Sequence, residues 1–132
     1  MTAALKTHGV DSVSIKRVEK ALKRSGKAFL KRIFDGGELD MREDTGFLAT
    51  RFAAKEAFFK ALGTGVTGGV RWHDFLLPPE DNTCPSPVIS GKSRELLRGR
   101  KVFVSVSRTE TTAVAIVLLE EQGEGYEILG NT

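Results

Sequence analysis

Apolar positions change their spacing several times along the chain, and each change marks a predicted element. Val10, Val13 and Ile15 alternate weakly with polar residues, which indicates a short strand leading into a helix. Apolar residues then recur at helical spacing through a basic segment that Ser25-Gly26 interrupts: Val18, Leu22, Phe29, Leu30 and Ile33. Asp35-Gly36-Gly37 predicts a turn, and residues 38–46 predict a short acidic helix or loop.

The second half of the chain begins with the clearest helical segment, residues 47–62. It is rich in Ala and Leu, lacks Pro and Gly, and meets Gly63 where a C-terminal cap is expected. The spacing of apolar residues after this helix predicts a strand over 66–77, a short helix over 92–98, and a β-hairpin formed by 102–107 and 113–120. Together these elements predict an α+β fold: one small domain, residues 1–132, with a long central helix packed on an antiparallel sheet. Its core spans about 8–120, followed by an acidic tail over 121–132.

Composition narrows the class of protein. The 132 residues are 40% apolar and 28% charged, the balance of a folded globular domain and not of a disordered chain. No apolar run approaches the roughly 18 residues of a membrane span, and Met1–Val10 lacks the apolar core of a secretory signal. The single cysteine, Cys84, cannot form an internal disulfide, so we expect a reducing cytoplasm.

Positive charge is concentrated in one segment. Residues 16–32 contain eight basic residues and one acidic residue, a net charge of +7, whereas the rest of the chain has 12 basic and 16 acidic residues, a net charge of −4. This separation is a first indication of function, and it leaves open a solvated helix face or a surface that binds an anionic partner.

The central helix carries two cations in an unexpected position. At 100° per residue, its aromatic and leucine side chains share one arc, and its alanines cover another that allows close approach of a neighbouring element. Arg51 and Lys55 project into the aromatic arc, while Glu56 and Lys60 lie on its border, one turn apart. Two interpretations remain open: snorkelling cations beside a surface Glu56–Lys60 ion pair, or a cleft in which the cations and Glu56 meet an anionic ligand and a metal.

Other patterns favour simple structural roles. The Gly63-Thr64-Gly65 stretch follows a helix and lacks a Gly-Lys-Ser/Thr ending, so it indicates a cap and turn and not a nucleotide-binding P-loop. Asp11 stands where a helix N-cap is expected. His8 and His73 are far apart, and with one cysteine the sequence does not favour a zinc site.

Three segments nevertheless resemble one family. They are Gly9-Val10-Asp11-Ser12-Val13-Ser14-Ile15 with Arg17; Phe29 with Arg32-Ile33-Phe34 and Glu38-Leu39; and the block from Phe47 to Gly65, with Arg51-Phe52-Ala53-Ala54-Lys55-Glu56-Ala57 at its centre. In this order, and with the hairpin that contains Ser105, they resemble holo-acyl-carrier-protein synthase, the small type of 4′-phosphopantetheinyl transferase. The resemblance covers roughly residues 8–120.

The resemblance implies a reaction: transfer of the phosphopantetheine arm of coenzyme A to a serine of an acyl carrier protein, releasing adenosine 3′,5′-bisphosphate. It also implies that Asp11 and Glu56 hold a Mg²⁺ ion, for which carboxylate oxygens are suitable ligands. Lys60 would face the coenzyme A phosphates and share in catalysis. The other residues implied to bind this substrate are Arg51, Lys55, Gly63, Thr64, Gly65 and Ser105. Glu38 would orient or deprotonate the attacking serine, unless it is simply a surface carboxylate.

The family also implies partners. Its first long helix docks the acidic carrier protein, and here that surface consists of Lys16, Arg17, Lys20, Lys23 and Arg24. The family assembles as a homotrimer with active sites shared between neighbours. The sequence departs from the family pattern at two places: Phe103 replaces a histidine of the family, and the loop over 78–87 lacks the lysine that the family has there. A relative that binds an acidic carrier without catalysis therefore remains the alternative, whereas a nucleic-acid binder is disfavoured because no recognition motif is present.

Overall fold

A computed structural model describes residues 6–39, 44–78 and 84–121. Residues 122–132 of the predicted tail over 121–132 lie outside these residues, as does part of the divergent loop, 79–83. The elements, in chain order, are β1 (Lys6–Ser14), α1 (Ile15–Ile33), α2 (Gly36–Leu39), α3 (Thr45–Leu62), a 3₁₀ turn (Trp72–Asp74), β2 (Phe75–Leu76), β3 (Val88–Ile89), α4 (Gly91–Leu97), β4 (Lys101–Arg108) and β5 (Thr112–Glu120).

The main sheet has three antiparallel strands in the order β1-β5-β4. β5 lies at its centre, with Asp11 of β1 opposite Ala115 on one side and Val106 of β4 opposite the same residue on the other. Alternate residues of each strand face α3 and are buried, as the period of two requires. The predicted α+β fold, with a long central helix on an antiparallel sheet, is confirmed.

The alanine side of α3 packs directly against β1. Gly9 makes this approach possible, because a Cβ atom at that position would lie 1.9 Å from the carbonyl oxygen of Ala57 and 2.8 Å from the amide nitrogen of Ala61. The close approach expected from the alanines is therefore confirmed, and it brings β1 within reach of side chains on the last two turns of α3.

The other side of α3 carries the aromatic core. The ring of Phe58 stacks on Phe75 with centroids 4.6 Å apart, and Phe59 meets Trp72 edge-on at 5.9 Å. Asp44 caps the start of the helix by accepting a hydrogen bond from the Gly46 amide at 2.9 Å. Since the sheet and the aromatic cluster cover opposite sides of α3, most of its side chains are buried.

Helix α1 begins where Ser14 accepts a hydrogen bond from the Arg17 amide. The interruption predicted at Ser25-Gly26 is confirmed, because Gly26 has φ 43° and ψ −114° inside the helix. Only Val18 and Ile33 of α1 are buried, so its basic side chains project into solvent.

One local prediction is wrong. Of the strand predicted over 66–77, only Phe75–Leu76 pairs as a strand, because Gly68 and Gly69 adopt positive φ and Asp74 folds the chain back by accepting from the Arg71 amide. At Asp35-Gly36-Gly37, where a turn was predicted, the Glu38 amide donates to the Asp35 carbonyl at 3.0 Å, and the chain continues as the one-turn helix α2. Among the described residues, none of the helices has the length and apolar character that crossing a membrane requires.

Candidate active site

Asp11 of β1 belongs to a small polar cluster between β1 and α3. Its side chain faces the helix and is about 10% exposed. Lys60, in the last turn of α3, places Nζ 2.6 Å from Asp11 Oδ1 and 3.3 Å from the Val10 carbonyl oxygen. The second carboxylate oxygen, Oδ2, is buried without a hydrogen-bond partner among the described residues. Asp11 is therefore not a helix N-cap, a role that Ser14 fills.

Glu56 lies one turn before Lys60 and beside Asp11. Burial and then the neighbouring Asp11 carboxylate raise the pKa of Glu56 from 4.5 to about 7, while Lys60 and Arg17 oppose this shift. Lys60 pairs with Asp11 and not in the surface Glu56–Lys60 ion pair that the sequence left open. The structure thus brings together Asp11, Glu56 and Lys60, with Arg17 of α1 within electrostatic reach.

Two adjacent carboxyl groups, one with an unpartnered buried oxygen, have the chemistry of a hard-cation site. Within the described part of the chain, no cluster of three or more His, Cys, Asp or Glu residues is placed to hold a metal. Asp11 and Glu56 are thus the two carboxylates that this cluster offers to a cation, and their role as metal ligands stays a prediction.

Lys55 is fully buried, with its side chain turned away from this cluster. Its Nζ lies 3.0 Å from Glu38 Oε1 and 3.0 Å from the Trp72 carbonyl oxygen, and it also donates to the Phe75 carbonyl. All three N–H donors of the ammonium are used inside the protein. The expectation that Lys55 contacts coenzyme A is therefore wrong for this structure, and so is the snorkelling alternative.

The partner of Lys55 is equally enclosed. Glu38 is 3% exposed, and it accepts hydrogen bonds from the amides of Asp35 at 3.0 Å and Leu77 at 3.2 Å. It is neither a surface carboxylate nor a base that a substrate can reach. The proposed catalytic role of Glu38 is therefore corrected: it is the counter-ion of Lys55.

Arg51 is likewise internal, at 4% exposed. Its guanidinium donates to the Pro78 carbonyl at 3.0 Å and to Thr50 Oγ1 at 3.2 Å, and it stacks 3.8 Å from the centroid of the Phe47 ring. These contacts link α3 to the chain after β2. The expectation that Arg51 binds coenzyme A is corrected for the same reason, since its charge is already used in the core.

The glycine segment after α3 has the predicted capping role. Gly63 adopts the left-handed conformation at φ 80°, and the amides of Gly63, Thr64 and Gly65 all donate to the Phe59 carbonyl. A side chain at Gly63 or Gly65 would meet open space. Glycine is favoured at both positions because of their positive φ angles, and not because neighbouring atoms exclude a side chain. Contact of this segment with coenzyme A stays a prediction.

Ser105 lies on the opposite face of the sheet from Asp11. It lines a groove of about 430 Å³ together with Phe103, Ile116, Leu118 and the segment 84–86. Within one chain the structure therefore does not bring Ser105 to the Asp11–Glu56–Lys60 cluster.

The predicted docking side chains lie on the exposed surface of α1: Lys16, Arg17, Lys20, Lys23 and Arg24. Of these side chains, Arg17 acts on the cluster, because its positive charge lowers the pKa of Glu56. Sequence reasoning gave Arg17 only a docking role, and it gave Gly9 none. The sequence did contain an indication that Gly9 lies against α3, since Gly9, Asp11 and Val13 share the face of β1 that lies opposite the alanines.

Comparison with known proteins identifies the family. A family model described as the 4′-phosphopantetheinyl transferase superfamily matches residues 8–117. The chain belongs to this superfamily. Among its similar members are the holo-[acyl-carrier-protein] synthases of Koribacter versatilis, 42% identical over 86% of this chain and 96% of that protein, and of Aliivibrio fischeri, 43% identical over 85% and 94%. The chain is an enzyme of this synthase type.

Solved synthase structures share its fold. That of Neisseria meningitidis matches with a TM-score of 0.76 and 34% identity, covering 87% of this chain and 98% of its own. The Helicobacter pylori synthase, solved in complex with coenzyme A, matches with a TM-score of 0.77 and 28% identity, covering 85% and 98%. The family resemblance of the sequence is confirmed.

Proposed function

We propose that this enzyme transfers the 4′-phosphopantetheine group of coenzyme A to a serine of an apo acyl carrier protein, with Mg²⁺, giving the holo carrier and adenosine 3′,5′-bisphosphate. The observation that carries the proposal is the juxtaposition of Asp11 and Glu56 beside the exposed head of Lys60. The names of the relatives, and the coenzyme A complex of the Helicobacter pylori synthase, support the same substrates.

Asp11 and Glu56 fit a Mg²⁺ ion. Oδ2 of Asp11 is buried without a hydrogen-bond partner among the described residues, and burial, followed by the adjacent Asp11 carboxylate, raises the pKa of Glu56. A divalent cation between the two carboxylates would compensate the charge of both. When bound, Mg²⁺ neutralises charge on the diphosphate and on the leaving phosphate.

Lys60 is the cation of this cluster that can reach a substrate. Its side chain is 54% exposed, whereas Lys55 and Arg51 are enclosed. Binding of its ammonium to phosphate oxygens would hold the diphosphate next to the carboxylates and stabilise developing charge during transfer. Gly63, Thr64 and Gly65 follow at the same end of α3, where their open backbone leaves space for the cofactor arm.

The basic surface of α1 is proposed to dock the acidic carrier. Arg17 connects this surface to the reaction site, since its charge acts on Glu56. Docking there would deliver the carrier serine to the side of the cluster that Lys60 borders. Such an interface speeds encounter and weakens with salt. Reversing charge at Lys20 and Arg24 should raise KM for the carrier more than KM for coenzyme A, and Arg94→Glu on α4 serves as the matched control.

The outer face of the sheet is proposed to pack against further copies in a homotrimer with shared active sites. Val10, Phe103, Ile116 and Leu118 are 43–51% exposed on that face, an unusual number of large apolar side chains for one surface. Ser105 lies among them. A second copy of the chain would therefore bury the apolar face and bring Ser105 towards a neighbouring cluster. We also propose a cytoplasmic location, which rests on the single cysteine of the sequence.

A test of the site compares transfer by the wild type with that by Asp11→Asn and Glu56→Gln. Both variants keep the size of the side chain and remove its charge, so we expect loss of Mg²⁺-dependent transfer in a protein with an unchanged circular dichroism spectrum. Full activity in either variant would refute the metal assignment. A folded wild type that binds the carrier but transfers nothing would favour the non-catalytic alternative that Phe103 raises.

A further inference from the structure

The ammonium of Lys60 occupies the position of a cation at Asp11. It is bound by a carboxylate oxygen at 2.6 Å and a backbone carbonyl at 3.3 Å, and oxygens of these two kinds are the ligands of hard metal ions. The other oxygen of Asp11 is buried without a partner among the described residues. A side chain therefore supplies part of the charge compensation that this carboxylate requires.

Lys60 can also leave Asp11 at little cost to the fold. Its side chain is 54% exposed, compared with 10% for Asp11, and it stands on the last turn of α3. The stem of the lysine can swing into solvent while the helix and strand stay in place. Lys55, by contrast, has three internal acceptors and cannot make this movement.

We infer that Lys60 is a placeholder cation, which neutralises Asp11 in the metal-free enzyme and must release it when Mg²⁺ binds. The inference rests on the metal site of the proposed function. It adds an exchange of partners: the ammonium that leaves Asp11 becomes available for the phosphate oxygens of the substrate. Metal binding to the free enzyme is then weakened by Lys60, and an anionic ligand that draws Lys60 away strengthens it.

The experiment is calorimetric titration of the full chain with Mg²⁺ alone, without coenzyme A. Lys60→Met should bind Mg²⁺ about tenfold more tightly than the wild type, because one charge-assisted contact no longer competes. Lys60→Arg keeps the cation and should stay close to the wild type. Lys27→Met is the matched control, since it removes an exposed lysine charge of α1 outside this cluster, and we expect a change of less than about threefold.

The outcomes separate the two proposals. If Lys60→Met binds Mg²⁺ no more tightly than the wild type, or if Lys27→Met gains as much, the placeholder role is overturned. Asp11→Asn should abolish metal binding, and if it does not, the proposed metal site itself is wrong. A second readout is the increase in melting temperature that Mg²⁺ produces, which should be larger in Lys60→Met because Asp11 then lacks its internal cation.

Discussion

Breaking the buried Glu38–Lys55 pair should unfold this protein more readily without changing its affinity for coenzyme A. Lys55→Met keeps the length of the side chain but removes the donor to the carbonyls of Trp72 and Phe75, and it leaves the Glu38 carboxylate without its counter-ion. Glu38 Oε1 then keeps the hydrogen bond from the Asp35 amide. Removing one partner of a buried ion pair costs about 3–5 kcal/mol of unfolding free energy. Burial lowers the pKa of Lys55 from its usual value, although Glu38 opposes the shift, so desolvation is the larger effect.

The assay is urea denaturation of Lys55→Met, Glu38→Gln and the double variant at pH 7. Each single variant should lose about 3 kcal/mol, or roughly 10 °C in melting temperature, with an unchanged dependence on urea. The double variant should lose about 2 kcal/mol less than the sum of the singles, because neither charge is then left alone. Lys27→Met, at an exposed position of α1, is the matched control and should stay within about 0.5 kcal/mol.

Coenzyme A titration of the same variants, at a temperature where they remain folded, gives the refuting result. If the Lys55 ammonium bound the cofactor, Lys55→Met would weaken coenzyme A binding severalfold while stability stayed near that of the wild type. That pattern, or two small and additive single effects, would contradict the structural role of the pair.

Three further predictions follow from the geometry. Gly9→Ala should cost about 3 kcal/mol in urea denaturation because its Cβ would meet the α3 backbone, whereas Gly36→Ala, which meets nothing within 4 Å, should be neutral. The unfolded chain releases the Glu56 proton near pH 4.5 and the folded protein near pH 7, so the unfolding free energy of the metal-free protein should fall between these pH values and then level off. Glu56→Gln should remove this dependence of stability on pH. An equal dependence in the wild type and in Glu56→Gln would exclude the raised pKa. Ile116→Asp on the outer sheet face should convert a trimer into monomers in light scattering, and an unaltered assembly would place the interface elsewhere.

The central helix was predictable in extent but not in how its charges are used. Composition and the glycine cap located residues 47–62, and the structure begins the helix two residues earlier, at Thr45. The helical projection correctly showed Arg51 and Lys55 among aromatic side chains. It could not show that carbonyls of the 72–78 segment would accept their hydrogen bonds, because those partners lie far along the chain and the sequence gives no register for them.

The Asp11–Glu56–Lys60 cluster shows the complementary case. Periodicity alone left Asp11 as a helix cap and Glu56 as part of a surface pair, and only the family resemblance joined them across 45 residues. The physical reason for the contact is local: Gly9 lets β1 approach the alanine side of α3, and this places Asp11 against the helix. The 66–77 segment failed as a strand because glycines with positive φ and the Asp74 turn outweigh its apolar content.

The intact mass of an apo acyl carrier protein, measured after incubation with this enzyme, coenzyme A and Mg²⁺, tests phosphopantetheine transfer itself. A carrier that a related synthase modifies in the same buffer provides the positive control. We expect the carrier to gain the mass of one phosphopantetheine group, and we expect this gain to disappear with Glu56→Gln. An unchanged mass with folded wild-type enzyme, or an equal gain with Glu56→Gln, would contradict this expectation.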